Sequence, residues 1–178
     1  VNLAGVNSIN WARVMAQTTY YFTAAAQLGS PDRPVGFSVP TGNFGDIFAG
    51  YVAAQMGLPV ARLMIATNVN DILARVMQAG IYETEEVIAT SSPSMDIQVS
   101  SNFERLLFEL TSRDAPRVSG FMDALARDGR FEMAEDEVAL MSALFDAARV
   151  DEAQTQETMR DVLKRFDMQI DPHTAVGL

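Results

Sequence analysis

Cysteine is absent from this 178-residue chain, and histidine and lysine occur once each, as His173 and Lys164. Without thiols there is no disulfide framework, iron–sulfur cluster, thiolate zinc site or cysteine nucleophile. One histidine cannot build a multi-histidine metal site, so no metal is expected. Base is scarce as well: 13 basic residues, nearly all arginine, face 23 acidic ones, for a net charge of −10. With a pI near 4.4 the chain lacks the basic footprint of a general nucleic-acid binder. No apolar run approaches the roughly 18 residues of a membrane span. Nor does a charged segment precede an apolar one as in a signal peptide, so a cytoplasmic chain with no membrane partner is expected. The chain starts at Val1 rather than methionine and stops at Leu178 within an apolar-looking segment. Both termini read as truncated, as in a piece of something longer.

Apolar side chains are plentiful. At 48% hydrophobic and 20% charged, the chain has enough to build a core. Its length suits one domain. Charge is uneven, however. Residues 1–81 carry 3 acids and 4 bases, whereas residues 132–178 carry 11 and 4. The reading is a single partial domain over residues 1–178. Within it, residues 1–81 form an α/β phosphate-binding part and residues 82–178 a mostly helical part.

A helix is expected from Asn7 or Ser8 to Leu28, apolar on most sides and closed by Gly29 and Pro31. Pro34–Val39 reads as a strand covered on both faces, Pro40–Gly45 as a turn, and Asp46–Met56 as a helix. A second strand, Arg62–Ala66, and a helix, Asn70–Gln78, complete the rhythm of a parallel sheet with flanking helices. Thr90–Ser101 is irregular. Ser101 and Glu104 have capping-box spacing ahead of Leu106, Leu107 and Leu110. Further helices are expected over Ser119–Arg127, Glu135–Leu144 and Asp151–Phe166. The last has an apolar stripe at Met159, Val162, Leu163 and Phe166. Lys164 lies about 140° from the centre of that stripe, on the wet face.

The strongest local candidate for chemistry is Ser38–Asp46, a strand-to-helix loop. Its two glycines can take positive φ and admit a ligand close to the backbone. The unpaired amides of the helix start would point into the loop, with the positive end of the helix dipole behind them, as in phosphate sites. Thr41 or Ser38 would add a hydroxyl. On spacing alone, a tight turn with no ligand explains the loop as well, and neither a Walker loop nor a Rossmann fingerprint is present. Asn7 and Ser8 with Arg13 form a second candidate, since arginine suits bidentate recognition of phosphate. An ordinary N-cap beside an ordinary arginine explains that cluster more simply. The Ser92–Asp96 turn and His173 read as a loop leading into a helix and a helix-entry histidine.

Five strings nonetheless occur in order along nearly the whole chain: NSINWAR at Asn7–Arg13, PTGNFGDIFAGY at Pro40–Tyr51, IATNVNDIL at Ile65–Leu73, SPSMDIQVSSNFERLL at Ser92–Leu107 and DPHTAVG at Asp171–Gly177. With them the chain resembles the threonine synthases, pyridoxal-phosphate enzymes of the tryptophan-synthase-β group, fold type II. The resemblance implies an α/β fold, with part of the parallel sheet of that group's large domain, flanking helices and a helix-rich second half. It implies conversion of O-phospho-L-homoserine, a small phosphorylated amino acid, and water to L-threonine and phosphate, with pyridoxal 5'-phosphate as electron sink. It makes Gly42, Asn43, Phe44, Gly45 and Asp46 the loop around the cofactor phosphate, and Asn7, Ser8 and Arg13 the cradle for the substrate phosphate. It assigns no role to Asp96 or His173. The imine-forming lysine belongs to an upstream segment that nothing here matches, so no catalytic residue is expected in the chain and the chain alone is expected to be inactive. A related phospholyase or dehydratase, or a non-catalytic phosphate-binding module, is the alternative. A cut parallel sheet would also expose an edge open to self-association.

Overall fold

The computed structural model describes residue 7 and residues 9–178, so the candidate Ser8 lies outside the described residues. The first helix, α1 (Trp11–Gln27), begins later than the spacing predicts. Asn10 is its N-cap, its side chain accepting from the Ala12 N–H, while Asn7 Oδ1 accepts from the Ile9 N–H in the turn before it. The helix buries only one stripe, Val14, Thr18, Tyr21 and Ala25, at i, i+4, i+7 and i+11. Trp11, Met15 and Tyr20 are exposed, which corrects the expectation of burial on most sides.

Strand β1 (Val35–Pro40) leads through the candidate loop into α2 (Gly45–Gln55), which returns to β2 (Val60–Thr67). β1 and β2 are parallel, with Val39 opposite Ile65. Contrary to the expectation of a doubly covered strand, β1 alternates: Val35 and Val39 are buried, Gly36 and Ser38 exposed. The sheet order β1-β2-β5 makes β1 an edge strand, and that position explains the difference. Next come α3 (Ile72–Ala79) and the short strand β3 (Ile81–Glu83), then a single 3₁₀ turn at Pro93–Met95.

Beyond it lie α4 (Phe103–Leu110), α5 (Ala115–Asp128), β4 (Arg130–Glu132), α6 (Glu135–Ser142), β5 (Phe145–Arg149), α7 (Glu152–Phe166) and α8 (Pro172–Val176). Three expectations fail here. The capping box at Ser101 does not form: Asn102 is the N-cap, and the Ser101 hydroxyl donates instead to Asn43 Oδ1 at 3.3 Å. Next, α5 starts ahead of Ser119, because Asp114 caps it by accepting from the Arg117 N–H at 3.0 Å. Finally, the α7 stripe is not a core stripe, with Leu163 43% and Phe166 67% exposed. Lys164 is exposed, on the wet face where the periodicity puts it.

Sequence reading missed all three later strands. Strand β5 joins the sheet beside β2, with Leu63 opposite Phe145, and an Arg62–Asp146 ion pair at 3.0 Å spans the two strands. The antiparallel pair β3–β4 is held by Tyr82 stacked on Phe131, ring centroids 4.8 Å apart. One apolar core runs from Val14 through Leu63, Ile65 and Phe103 to Phe145. A smaller cluster of Ala66, Met95 and Val176 forms separately. Since successive strand residues face opposite ways, Ile65 and Ala66 point to the two faces of the sheet. The Pro93–Met95 turn and α8 therefore cover the second face near the carboxyl ends of β1 and β2. In open α/β sheets that is where ligand crevices form. Among the described residues no helix is long and apolar enough to cross a membrane, and no group of three metal-binding side chains occurs.

Candidate anion-binding site

The loop between β1 and α2 begins as a continuation of the ladder, the Thr41 N–H donating to the Ala66 carbonyl at 2.8 Å. The Thr41 hydroxyl donates to the Val39 carbonyl at 2.6 Å, so its one proton is already committed. Ser38 faces a different small cavity, with Tyr20 and Tyr21. Thr41 lines the loop's cavity but has no hydroxyl proton to spare for an anion there, and Ser38 does not line that cavity.

Two outside residues shape the loop that follows. The Ser100 hydroxyl donates to the Gly42 carbonyl at 2.8 Å, and the Asn102 side-chain amide donates to the Asn43 carbonyl at 2.9 Å. In a trans peptide the C=O and the following N–H point in opposite directions. Pinning those carbonyls toward the Ser100–Asn102 segment therefore aims the Asn43 and Phe44 amides away from it. Among the described residues neither amide meets an acceptor, and no side chain caps α2. These are the unpaired donors of a helix start.

Positive φ falls on an unexpected residue. Phe44 adopts the left-handed region at φ 62°, while Gly42 and Gly45 do not. The Phe44 side chain sets this: it is 1% exposed, with its ring 5.4 Å from that of Phe103 and 5.8 Å from that of Phe145. Phe44 thus offers its amide to the loop and its ring to the core. Gly42 is needed for a different close approach, since a Cβ there would lie 2.7 Å from the Ser94 carbonyl oxygen.

The loop forms one wall of a cavity of about 190 Å³, and Asn7, Arg13 and Gln17 line the same cavity. The structure therefore brings the two sequence candidates together: Gly42–Asp46 from the loop, and Asn7 and Arg13 from the start of α1. Arg13 is in the first turn of α1, its N–H donating to the Asn10 carbonyl. The Tyr21 hydroxyl ties α1 to the loop by donating to the Asp46 carbonyl at 2.9 Å. Two buried acceptors, Gln17 Oε1 and Asp46 Oδ1, have no hydrogen-bond partner among the described residues. Burial pushes the Asp46 carboxyl above the usual carboxylate range, and the Tyr21 hydroxyl and Arg13 guanidinium pull it partly back. Unpaired amides, a helix dipole and an arginine around a small cavity are the donor set for a phosphoryl group. Among the described residues that line the cavity, Asp46 is the one that bears a carboxylate.

Sequence reasoning missed the support behind the loop. Asp96 accepts from Asn68, Asn70 and the Thr90 hydroxyl at 2.8, 3.1 and 2.7 Å, and from the Thr90 N–H at 2.8 Å. Four donors on one carboxylate knot the irregular segment to the end of β2. Ser100 is positioned in turn by the Tyr82 hydroxyl, which accepts from its N–H at 2.8 Å. Burial pushes that hydroxyl up to about 12. Asn68, Asn70 and Ser92 are buried polar residues, and such side chains are buried only when partnered, but nothing in the sequence marks them as buried.

Known proteins give the site a context. No family model matches the chain. A threonine synthase of Pseudomonas aeruginosa is 52% identical over 176 residues, covering 99% of this chain and 38% of that protein. The pyridoxal-phosphate-bound crystal structure of a threonine synthase from Brucella melitensis superposes with a TM-score of 0.96 at 56% identity, over 98% of this chain and 38% of that one. A threonine deaminase structure at 15% identity, TM-score 0.58, shares the fold alone. The chain thus spans somewhat over a third of the length of the synthases it matches.

Proposed function

From the premise that this chain belongs to the threonine synthase family, we propose that it is the phosphate-holding portion of an enzyme converting O-phospho-L-homoserine and water to L-threonine and phosphate. The reaction makes the whole protein a carbon–oxygen lyase acting on phosphate, with pyridoxal 5'-phosphate as cofactor. The observation that carries this reading is the pair of carbonyls, Gly42 and Asn43, pinned outward by Ser100 and Asn102. It leaves the Asn43 and Phe44 amides unclaimed beside a cavity that Arg13 also lines.

When bound, the cofactor supplies an electron sink for the substrate's carbon skeleton. This chain holds and orients. The amides of Asn43, Phe44, Gly45 and Asp46, with the α2 dipole, take the cofactor phosphate, and Gly42 lets the loop pack tightly on the Ser94 backbone. Asn7, Ser8 and Arg13 take the phosphate of the substrate, which leaves in the reaction. Arg13 offers a planar fork for that group.

Lys164 is exposed on α7, far in sequence from the loop, and has no part in this assignment. The cofactor-binding lysine belongs to the remainder of the protein, so the 178-residue chain alone turns over no substrate. In the complete enzyme, Arg13→Ala should raise KM for O-phospho-L-homoserine at least tenfold, the scale of one lost charged hydrogen-bond pair. Cofactor affinity should fall less than that, because the loop amides stay in place. Equal losses in both would contradict the division of phosphates, and turnover by the isolated chain would contradict the missing lysine.

A further inference from the structure

Two segments to which the family resemblance gives no role, the Ser92–Asp96 turn and the Asp171–Gly177 motif, meet behind the loop. Asp171 caps α8. Its Oδ1 accepts from the His173 N–H at 2.8 Å and lies 3.0 Å from His173 Nδ1, while its Oδ2 accepts from the Thr174 hydroxyl at 2.7 Å. With the carboxylate at Nδ1, that nitrogen carries the proton and Nε2 is left as an acceptor. Nε2 is met by the N–H of Ser94 at 3.3 Å. That amide is the middle one of the 3₁₀ turn, where Met95 and Asp96 donate back to the Ser92 and Pro93 carbonyls. The turn itself offers Ser94 no acceptor.

The next peptide along, through the carbonyl of the same residue, reaches the candidate loop. The Ser94 carbonyl oxygen sits where a Cβ on Gly42 would come within 2.7 Å, and Met95 Cα within 3.3 Å. Gly42 is therefore gripped on one side by the Ser100 hydroxyl and blocked on the other by Ser94. At the far end of α8, a Cβ on Gly177 would meet the Pro40 ring at 3.0 Å, so the helix also seats the strand end that launches the loop. The small cluster of Ala66, Met95 and Val176 holds these pieces against the sheet.

We propose that His173 is a positioning residue for the phosphate loop: by holding the Ser94 N–H it seats Ser94, whose carbonyl in the next peptide packs on Gly42, and so sets the direction of the Asn43 and Phe44 amides. The proposal rests on the reading of Gly42–Asp46 as a phosphate cradle. His173 touches neither phosphate. It acts through the Ser94 backbone, and its contribution is specific to the phosphorylated form of the ligand.

The test compares wild type, His173→Ala and His173→Gln in the complete enzyme. Titration calorimetry would use pyridoxal 5'-phosphate, pyridoxal lacking the phosphate, and inorganic phosphate. Glutamine can present Oε1 to the Ser94 N–H in place of Nε2. His173→Ala should weaken pyridoxal 5'-phosphate and inorganic phosphate about three- to tenfold, one neutral hydrogen bond's worth, and leave pyridoxal unchanged. His173→Gln should return both to within about twofold of wild type. Amide exchange at Ser94, Asn43 and Phe44 should quicken in the alanine variant and recover in the glutamine one. Equal loss for pyridoxal and its phosphate, or no rescue by glutamine, would overturn the positioning role. Wild type that binds neither phosphate ligand would overturn the cradle reading itself.

Discussion

The Ser100 hydroxyl donates to the Gly42 carbonyl at 2.8 Å, across 58 positions of sequence, and that contact sets which way the Gly42–Asn43 peptide faces in the loop before α2. Without it the Gly42–Asn43 peptide is free to flip, and a flipped peptide presents a carbonyl to an anion. The Ser100→Ala variant should therefore weaken pyridoxal 5'-phosphate by about three- to tenfold, the scale of one neutral hydrogen bond. Global stability should fall by no more than about 1 kcal/mol. Calorimetric titration beside a urea melt separates the two, and an unchanged affinity with a lowered melt would make Ser100 a stability residue only.

Phe44 combines a strained backbone with a buried ring. Removing the ring in Phe44→Ala should cost about 3–5 kcal/mol, because both Phe103 and Phe145 lose a partner. The alanine retains a Cβ at φ 62°, whereas Phe44→Gly loses the same ring but relieves the left-handed strain. Glycine should thus be the more stable of the two by about 1 kcal/mol. Urea unfolding midpoints for the pair would show it, and alanine matching or exceeding glycine would mean that the strain is absent.

The contrast between those residues explains what the sequence made legible. The β1–loop–α2–β2 core and the loop itself stand out because glycine, proline and apolar runs mark turns and buried strands locally. Asn7 and Arg13 could be nominated, but only folding shows that they share the loop's cavity. Strand β5 was invisible: Phe-Asp-Ala-Ala-Arg has one large apolar residue and two alanines, poor strand formers, and is a strand because β2 pairs with it. Ser101 and Glu104 had the right spacing for a cap, yet the Ser101 hydroxyl was claimed by Asn43, 58 residues away. Local pattern fixes what neighbours decide. The orientation of the loop, the role of Ser100 and the clamp by Ser94 and His173 come from long-range contacts and have no local signature.

Asp171 should make the α8 cap sensitive to acid. The Thr174 hydroxyl, with help from the His173 side chain and both backbone amides, holds its carboxyl down at about 2. A depressed carboxyl stabilises the fold above its unfolded value near 3.9, and that contribution is lost as pH falls through about 2. Exchange protection of the His173 and Thr174 amides should therefore disappear between about pH 4 and pH 2. Asp171→Asn should show reduced protection already at neutral pH. Protection that persists unchanged at low pH would place the hold on α8 in packing against Pro40 rather than in its cap.

Asp46 poses the opposite case, a carboxyl raised by burial beside the cavity proposed to take an anion. The charged and titratable groups facing it are Arg13 and Tyr21 on α1, with Tyr20 alongside in the neighbouring cavity. Burial also raises the Tyr21 hydroxyl, so it stays a neutral donor. A carboxyl raised on folding contributes stability that is full below its unfolded value and is lost as pH rises through its folded one. Asp46→Asn should therefore be more stable than wild type at neutral pH and equal to it in acid. An anion entering the cavity raises Asp46 further, so binding takes up a proton and weakens as pH rises. Sulfate is the suitable probe because its own charge stays fixed across the range. Wild type should bind it progressively less well from about pH 4 upward until Asp46 is ionised, while Asp46→Asn should show no such slope. Above the range in which Asp46 ionises, the asparagine variant should bind sulfate more tightly than wild type, because the like charge is gone. Parallel slopes in the two proteins would mean that Arg13 cancels the Asp46 charge in the bound state, and the titration would then belong to another group.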